Sequence, residues 1–181
     1  MDKFFEDLVG IIWGLPMVCL LVGGGLYFTI MLRGIQFRLF KHAIDVVRGK
    51  FDDPNDKGEI NHFGALCTAL SGTVGLGNIA GVAVAIKAGG PGATLWMILA
   101  GIIGMASKYT ECTLSLKYRK INADGSINGG AMYYIEKGLG KKFISLSYLF
   151  AFCIVIAALG AANMFQANQV GAILELSLIH I

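Results

Sequence analysis

Apolar residues fall along this chain in four long blocks, separated by two polar, basic stretches. The first block, Leu8–Leu32, contains no Lys, Arg, Asp or Glu. About 20 mostly apolar residues cross a bilayer as a helix, so this block predicts a transmembrane segment. Trp13 and Tyr27 suit its interfaces, and Pro16 predicts a local kink. The start, "MDKFFEDL", is acidic overall, and the run behind it is too long for a cleaved leader, so the helix is retained. The second block, 62–88, carries a glycine-rich interruption near 72–77. The third, 91–118, opens on Pro91, which suits a first helical turn. The fourth covers 143–174. The pattern predicts an all-α, polytopic transmembrane helical bundle occupying residues 1–181 as one domain.

Composition sharpens this picture. Of 181 residues, 55% are hydrophobic and only 15% charged, where a soluble domain carries about 25% charged residues. The stretch from Arg33 to Glu59 holds Arg33, Arg38, Lys41, Arg48, Lys50 and Lys57; the stretch from Lys117 to Lys142 holds Lys117, Arg119, Lys120, Lys137, Lys141 and Lys142. The remaining flanks offer Lys3 and Lys87. By the positive-inside rule the linkers 33–60 and 119–142 are cytoplasmic, and the amino terminus and the "KAGGPG" turn lie outside. Within the second linker, Asp124-Gly125 and Gly129-Gly130 signal turns. Ala131–Leu139 reads as a short interfacial helix ended by Gly138 or Gly140, or as a plain loop. The net charge of +3 and the absence of a basic stripe interleaved with aromatics point away from nucleic acid. Cys19, Cys67, Cys112 and Cys153 lie one per apolar block without metal-type spacing and read as small hydrophobes. The end, "ILELSLIHI", carries Glu175 and His180 and no basic anchor, so the chain is expected to be a truncated product.

The chemistry concentrates in "SGTVGLGNIAG", Ser71–Gly81. Each Gly inside a helix costs about 0.8–1.0 kcal/mol relative to Ala. Broken backbone at membrane depth persists only where protein buries it or a wet cavity meets it. One explanation is close packing, since Gly77 and Gly81 form a GxxxG pair. Gly72, Gly75 and Gly77 point in several directions around a helix, however, which a single packing stripe does not require. The other explanation is a discontinuous helix, with halves at about His62–Gly72 and Asn78–Ala88. The first half then ends in free carbonyls and the second begins with free N–H groups. Such a gap accommodates a cation and a carboxylate side by side, as a zwitterion with Na+ requires. "GLGNIA" also matches a dinucleotide fingerprint, but an apolar helix precedes it and no acidic residue follows at the needed distance.

"TALSGTVGLGNIAGVAVAI", "GGPGATLWMILAGIIGMASKYTECTLSLKYR", "GGAMYYIEKGLG" and "NMFQANQV" occur in that order from about Gly64 to Val170. Together they resemble the alanine or glycine:cation symporter family, whose glycine-rich signature has aromatics where this chain has Leu95 and Ile98. "VGLGN", Val74–Asn78, is also similar to the first core helix of neurotransmitter:sodium symporters. The resemblance implies a LeuT-type inverted-repeat fold, here the first repeat only and incomplete. It implies sodium ligands from Ser71, Thr73, Val74 and Asn78, and substrate contacts from Thr73, Gly75, Leu76 and Gly77. The Leu76 and Gly77 N–H groups would take a carboxylate and the Thr73 carbonyl an ammonium. Freedom of backbone and close approach are the expected needs at Gly75 and Gly77.

Asn163 and Gln166 stand at i and i+3 of the fourth block; they either hydrogen-bond a neighbouring helix or line the substrate cavity. Lys108 and Glu111 have the same spacing in the third block and suit a mutual ion pair better than a proton relay. The expected function is sodium-coupled symport of a small neutral amino acid, alanine or glycine, across the cytoplasmic (inner) membrane by alternating access. Its partners are the amino acid, Na+ as coupling ion and membrane lipid, with no other cofactor and no enzymatic step. These 181 residues alone are not expected to transport, because the second repeat is absent. The alternatives are a non-transporting scaffold packed through small-residue faces, a channel subunit, or a membrane-embedded enzyme. The last has only Lys108 and Glu111 to work with inside the apolar blocks.

Overall fold

The computed structural model describes residues 2–52 and 60–179. Lys57 and Glu59 of the first linker, and His180 near the end, lie outside the described residues.

The first apolar block is bent. Helix α1, Asp2–Ile12, and helix α2, Leu15–Met31, meet at Trp13 and Gly14. Pro16 sits in the first turn of α2, where its missing N–H costs no helical bond, so the kink appears just before the proline. Asp7–Met31 remains one 25-residue stretch long and apolar enough to cross a membrane. Arg33 (φ 54°) and Gly34 (φ 64°) are both left-handed and turn the chain sharply out of α2. Two short helices follow where the sequence suggested only a linker: α3, Ile35–Arg38, and α4, Phe40–Val47. Ile35 is buried beneath them. Lys50 pairs with Asp45 at 3.4 Å, and His62 Nδ1 meets the Asp52 carboxylate.

The second block forms helix α5, His62–Thr73, and helix α6, Leu76–Gly89. Asn61 caps α5 by accepting the Gly64 N–H at 2.7 Å. Pro91 caps helix α7, Gly92–Lys117. The tightest packing lies where α7 crosses α2. A Cβ added at Gly25 would stand 2.5 Å from Ile103 Cγ2, and Ala106 is fully buried. Lys108 and Glu111 form the expected ion pair at 3.0 Å.

Strands β1, Lys120–Ile121, and β2, Ile127–Asn128, pair antiparallel around the Asp124-Gly125 turn. Helix α8, Ala131–Leu139, ends at Gly140, whose φ of 88° closes the helix in a conformation that favours glycine. Lys137 Nζ donates to the Tyr118 and Arg119 carbonyls at 3.0 and 3.2 Å, so α8 caps the end of α7. Ser147 donates to the Met132 carbonyl at 3.0 Å and fastens α8 to helix α9, Ile144–Ala157.

The fourth block is not one regular helix. After α9 the backbone winds as a π-helix over Ala158–Met164 and then resumes as helix α10, Phe165–Ile179. Lys141–Gly160 is a second stretch with the length and hydropathy of a membrane span. The α5–α6 pair passes the same test as one bent unit. Among the described residues, large apolar side chains stand mostly outside; Trp13 is 76% exposed and Trp96 72%. Soluble monomers rarely expose so much apolar surface. The molecule is a helical membrane protein.

Candidate functional site

The break between α5 and α6 is narrower than the sequence suggested. Only Val74 (φ −81°, ψ 111°) and Gly75 (φ −154°, ψ −177°) are extended, and the half-helices diverge by 52°. The Val74 N–H still donates to the Leu70 carbonyl at 2.9 Å. The Ser71 and Gly72 carbonyls receive no backbone N–H from the described residues beyond the helix. On the other side, Asn78 and Ile79 donate to the Gly75 carbonyl at 3.1 and 3.4 Å. Leu76 and Gly77 open α6, and the first N–H groups of a helix have no acceptor within it. Free carbonyls and free N–H groups therefore stand within one turn of each other, carrying opposite partial charges.

Asn78 bridges the break. Its Nδ2 donates to the Thr73 carbonyl at 2.6 Å, and the Thr73 hydroxyl turns back to the Ala69 carbonyl at 2.7 Å. The Thr73 main-chain oxygen, rather than its side chain, therefore faces the gap.

A cavity of about 520 Å³ opens over this break. Ser71, Thr73, Val74, Gly75 and Asn78 line one wall and Gln166 of α10 the other. Ile154, Ala157 and Ala158 complete that second wall. Gln166 Nε2 lies 3.5 Å from where a Cβ on Gly75 would stand. Gly75 has an extended φ open to any residue, so close approach to Gln166, not backbone freedom, is what glycine provides there. Gly77 lies within α6. At Gly81 an added Cβ would meet nothing within 4 Å, so the second glycine of the GxxxG pair packs against no helix among the described residues.

Six of the residues singled out from the sequence thus line one cavity: Ser71, Thr73, Val74, Gly75, Asn78 and Gln166. Leu76 and Gly77 supply backbone N–H groups beside it. Asn163 is not among its lining residues; its Nδ2 donates to the Ala158 carbonyl at 3.0 Å, five residues back, and closes the π turn. The π stretch places Ala158 and Gln166 opposite the broken helix. Such stretches often accompany functional sites because they leave carbonyls without helical partners. Sequence reasoning missed it, although "AALGAAN" is small and helix-softening enough to have signalled an irregular turn. Ile154 and Ala157 were also missed, since an apolar residue in an apolar helix carries no mark of facing a cavity.

Comparison with known proteins addresses the same stretch. The chain is 48% identical over 170 residues to an uncharacterized transporter of Haemophilus influenzae, covering 93% of this chain and 36% of that protein. It is 44% identical over 161 residues to the sodium/alanine symporter AgcS of Methanococcus maripaludis, covering 88% and 36%. It is 37% identical over 179 residues to the probable sodium/glutamine symporter GlnT of Bacillus subtilis, covering 97% and 37%. The chain spans little more than a third of the length of each of these relatives. The profile that describes the sodium:alanine symporter family matches residues 1–179, the broken helix and the π stretch included, and the chain belongs to that family.

Proposed function

We propose that this chain carries part of the substrate and ion path of a sodium-coupled symporter for a small neutral amino acid, alanine or glycine. The observation that carries the reading is the meeting of the end of α5 and the start of α6 at Thr73–Leu76, with Gln166 across one cavity. The Leu76 and Gly77 N–H groups take the substrate carboxylate, and the Thr73 carbonyl takes its ammonium. Sodium is held by oxygens of Ser71, Thr73, Val74 and Asn78, as hard cations prefer. The Asn78 amide donates to the Thr73 carbonyl. Sodium replaces it there and turns the Asn78 Oδ1 inward, so the ion orders the break before substrate arrives. The small residues Ser71, Gly72, Gly75 and Ala157 leave room for a short side chain. Asn163 acts through the π turn, fixing the backbone from which Gln166 projects.

The fold in which this operates is of LeuT type, with these residues in its first repeat, and it alternates access by rocking around the site. The basic linkers face the cytoplasm, the amino terminus faces outward, and the membrane is the cytoplasmic one. Family membership and the sodium/alanine symport for which AgcS is named support this reading; GlnT, named for glutamine, marks the substrate as the property most open to variation.

The test is uptake of radiolabelled alanine and glycine into proteoliposomes containing the whole reading frame, with and without an inward Na+ gradient. Saturable uptake that needs Na+, and that falls at least tenfold in Asn78→Ala, supports the reading. Uptake indifferent to Na+, or no uptake of either amino acid by folded protein, overturns it.

A further inference from the structure

A second cavity of about 520 Å³ lies between α3–α4 and α7. Ile35 of α3, Leu39 between the two short helices, and Ala43 and Val47 of α4 form one wall, and Met105 and Tyr109 of α7 the other. It is a mostly apolar groove whose polar side chains are Gln36, His42 and Tyr109. Gln36 donates through Nε2 to the Thr29 hydroxyl at 3.4 Å, and its Oε1 is buried without a partner among the described residues. The rest of the lining is hydrophobic, so an occupant that fills the groove is apolar.

Charge around the groove identifies the occupant's other property. Between Arg33 and Lys50 there are five basic residues, Arg33, Arg38, Lys41, Arg48 and Lys50, against one acid, Asp45. Asp45 is taken by Lys50, and the next acid, Asp52, is taken by His62. Arg33, Arg38, Lys41 and Arg48 have no carboxylate partner among the described residues, and all four are exposed. Phe37 and Phe40 beside them are 71% and 66% exposed. Exposed aromatics among unpaired cations, on short helices at the foot of a span, are the composition of an element lying in a bilayer interface.

We propose that the groove between α3–α4 and α7 binds one anionic phospholipid. An acyl chain fills the apolar groove against Met105 and Tyr109. The phosphate is held by the exposed cations Arg33, Arg38, Lys41 and Arg48, which favours an anionic headgroup such as phosphoglycerol over zwitterionic phosphocholine. None of the residues assigned to the transport path lines this groove, and the proposal does not depend on the transport reading.

Native mass spectrometry of the detergent-solubilised protein, titrated with phosphatidylglycerol and separately with phosphatidylcholine, tests this. One phosphatidylglycerol should be retained at about a tenth of the phosphatidylcholine concentration. Ala43→Phe and Met105→Trp fill the groove from opposite walls, and each should reduce that retention about tenfold. The double variant Arg38→Gln, Lys41→Gln alters only exposed side chains and should erase the preference between the two lipids. Equal retention of both lipids by the unaltered protein overturns the proposal. So does a preference for phosphatidylglycerol that survives the charge variant, or one that survives the groove variants, which would place the lipid on the surface. Dimers that disappear in Ala43→Phe would assign the groove to a second copy of the chain, and that also overturns it.

Discussion

At the scale of single residues, two glycines make opposite demands. Gly25 lies against Ile103, where a Cβ would come within 2.5 Å of Cγ2 and 3.3 Å of the carbonyl oxygen. Overpacking of this kind costs about 1–3 kcal/mol. Gly25→Ala should therefore lower thermal stability in detergent, and Ile103→Ala in the same chain should restore part of it by removing the offending methyl. A Cβ on Gly75 instead reaches only ordinary contact with Gln166, from a backbone that any residue can adopt. Gly75→Ala should leave stability within about 1 kcal/mol of the unaltered chain while reducing sodium-dependent uptake in the whole protein. A loss of stability at Gly75 as large as at Gly25 would contradict the assignment of that glycine to the cavity. A third residue offers a pH test. The Ser126 hydroxyl, and after it the Ser126 N–H, donate to Asp124 and hold its carboxyl below the ordinary aspartate range. A depressed carboxyl stabilises the turn above its unfolded pKa and loses that contribution as pH falls through the folded value, below about pH 4. Titration of the Asp124 carboxyl carbon by NMR should show the low midpoint, and Ser126→Ala should raise it.

At the scale of elements, the cap that α8 places on α7 is open to direct test. Lys137 brings a positive charge to the carbonyls of Tyr118 and Arg119, where the helix end is partially negative. Its side chain is exposed, so the contribution is about 1 kcal/mol or less. Lys137→Met should speed amide exchange over Ala131–Leu139 severalfold while exchange at the α2–α7 crossing stays unchanged. This helix was legible in the sequence because glycines bracket it and turn residues precede it; Gly140 provides the positive φ that its end requires. The break in the second block was legible too, because glycine and Asn punctuate an otherwise apolar run. Its width was not, since Gly72 and Gly77 tolerate helix as well as breaking it. The π stretch and helices α3 and α4 escaped for different reasons. A π turn depends on where carbonyls find partners, here the Asn163 amide, which no periodicity records. Helices α3 and α4 are shorter than three turns, and charge dominated the reading of that stretch.

At the scale of the whole molecule, packing divides the chain into a stiff part and a loose one. The α2–α7 pair is joined at Gly25, Ile103 and Ala106, and α8 ties α7 to α9 through Lys137 and Ser147. Among the described residues the broken helix is held more lightly: Gly72 and Gly81 face open space, His62 at the start of α5 meets Asp52, and the break itself is spanned by the Asn78 amide and approached by Gln166. Motion of α5 and α6 against the α2–α7–α8–α9 frame therefore disturbs the fewest close contacts. If sodium replaces the Asn78 amide on the Thr73 carbonyl, the 52° bend is where its binding energy changes shape. Spin labels at Phe63 of α5 and Leu116 of α7, both exposed, should report a shift of a few ångströms, about the scale of hinge motion, when Na+ replaces K+. Labels at Leu20 of α2 and Leu99 of α7 should report none. Asn78→Ala should abolish the first response and leave the second pair unmoved. Equal shifts in both pairs would mean that the frame itself deforms, and no shift in either would separate ion binding from the bend.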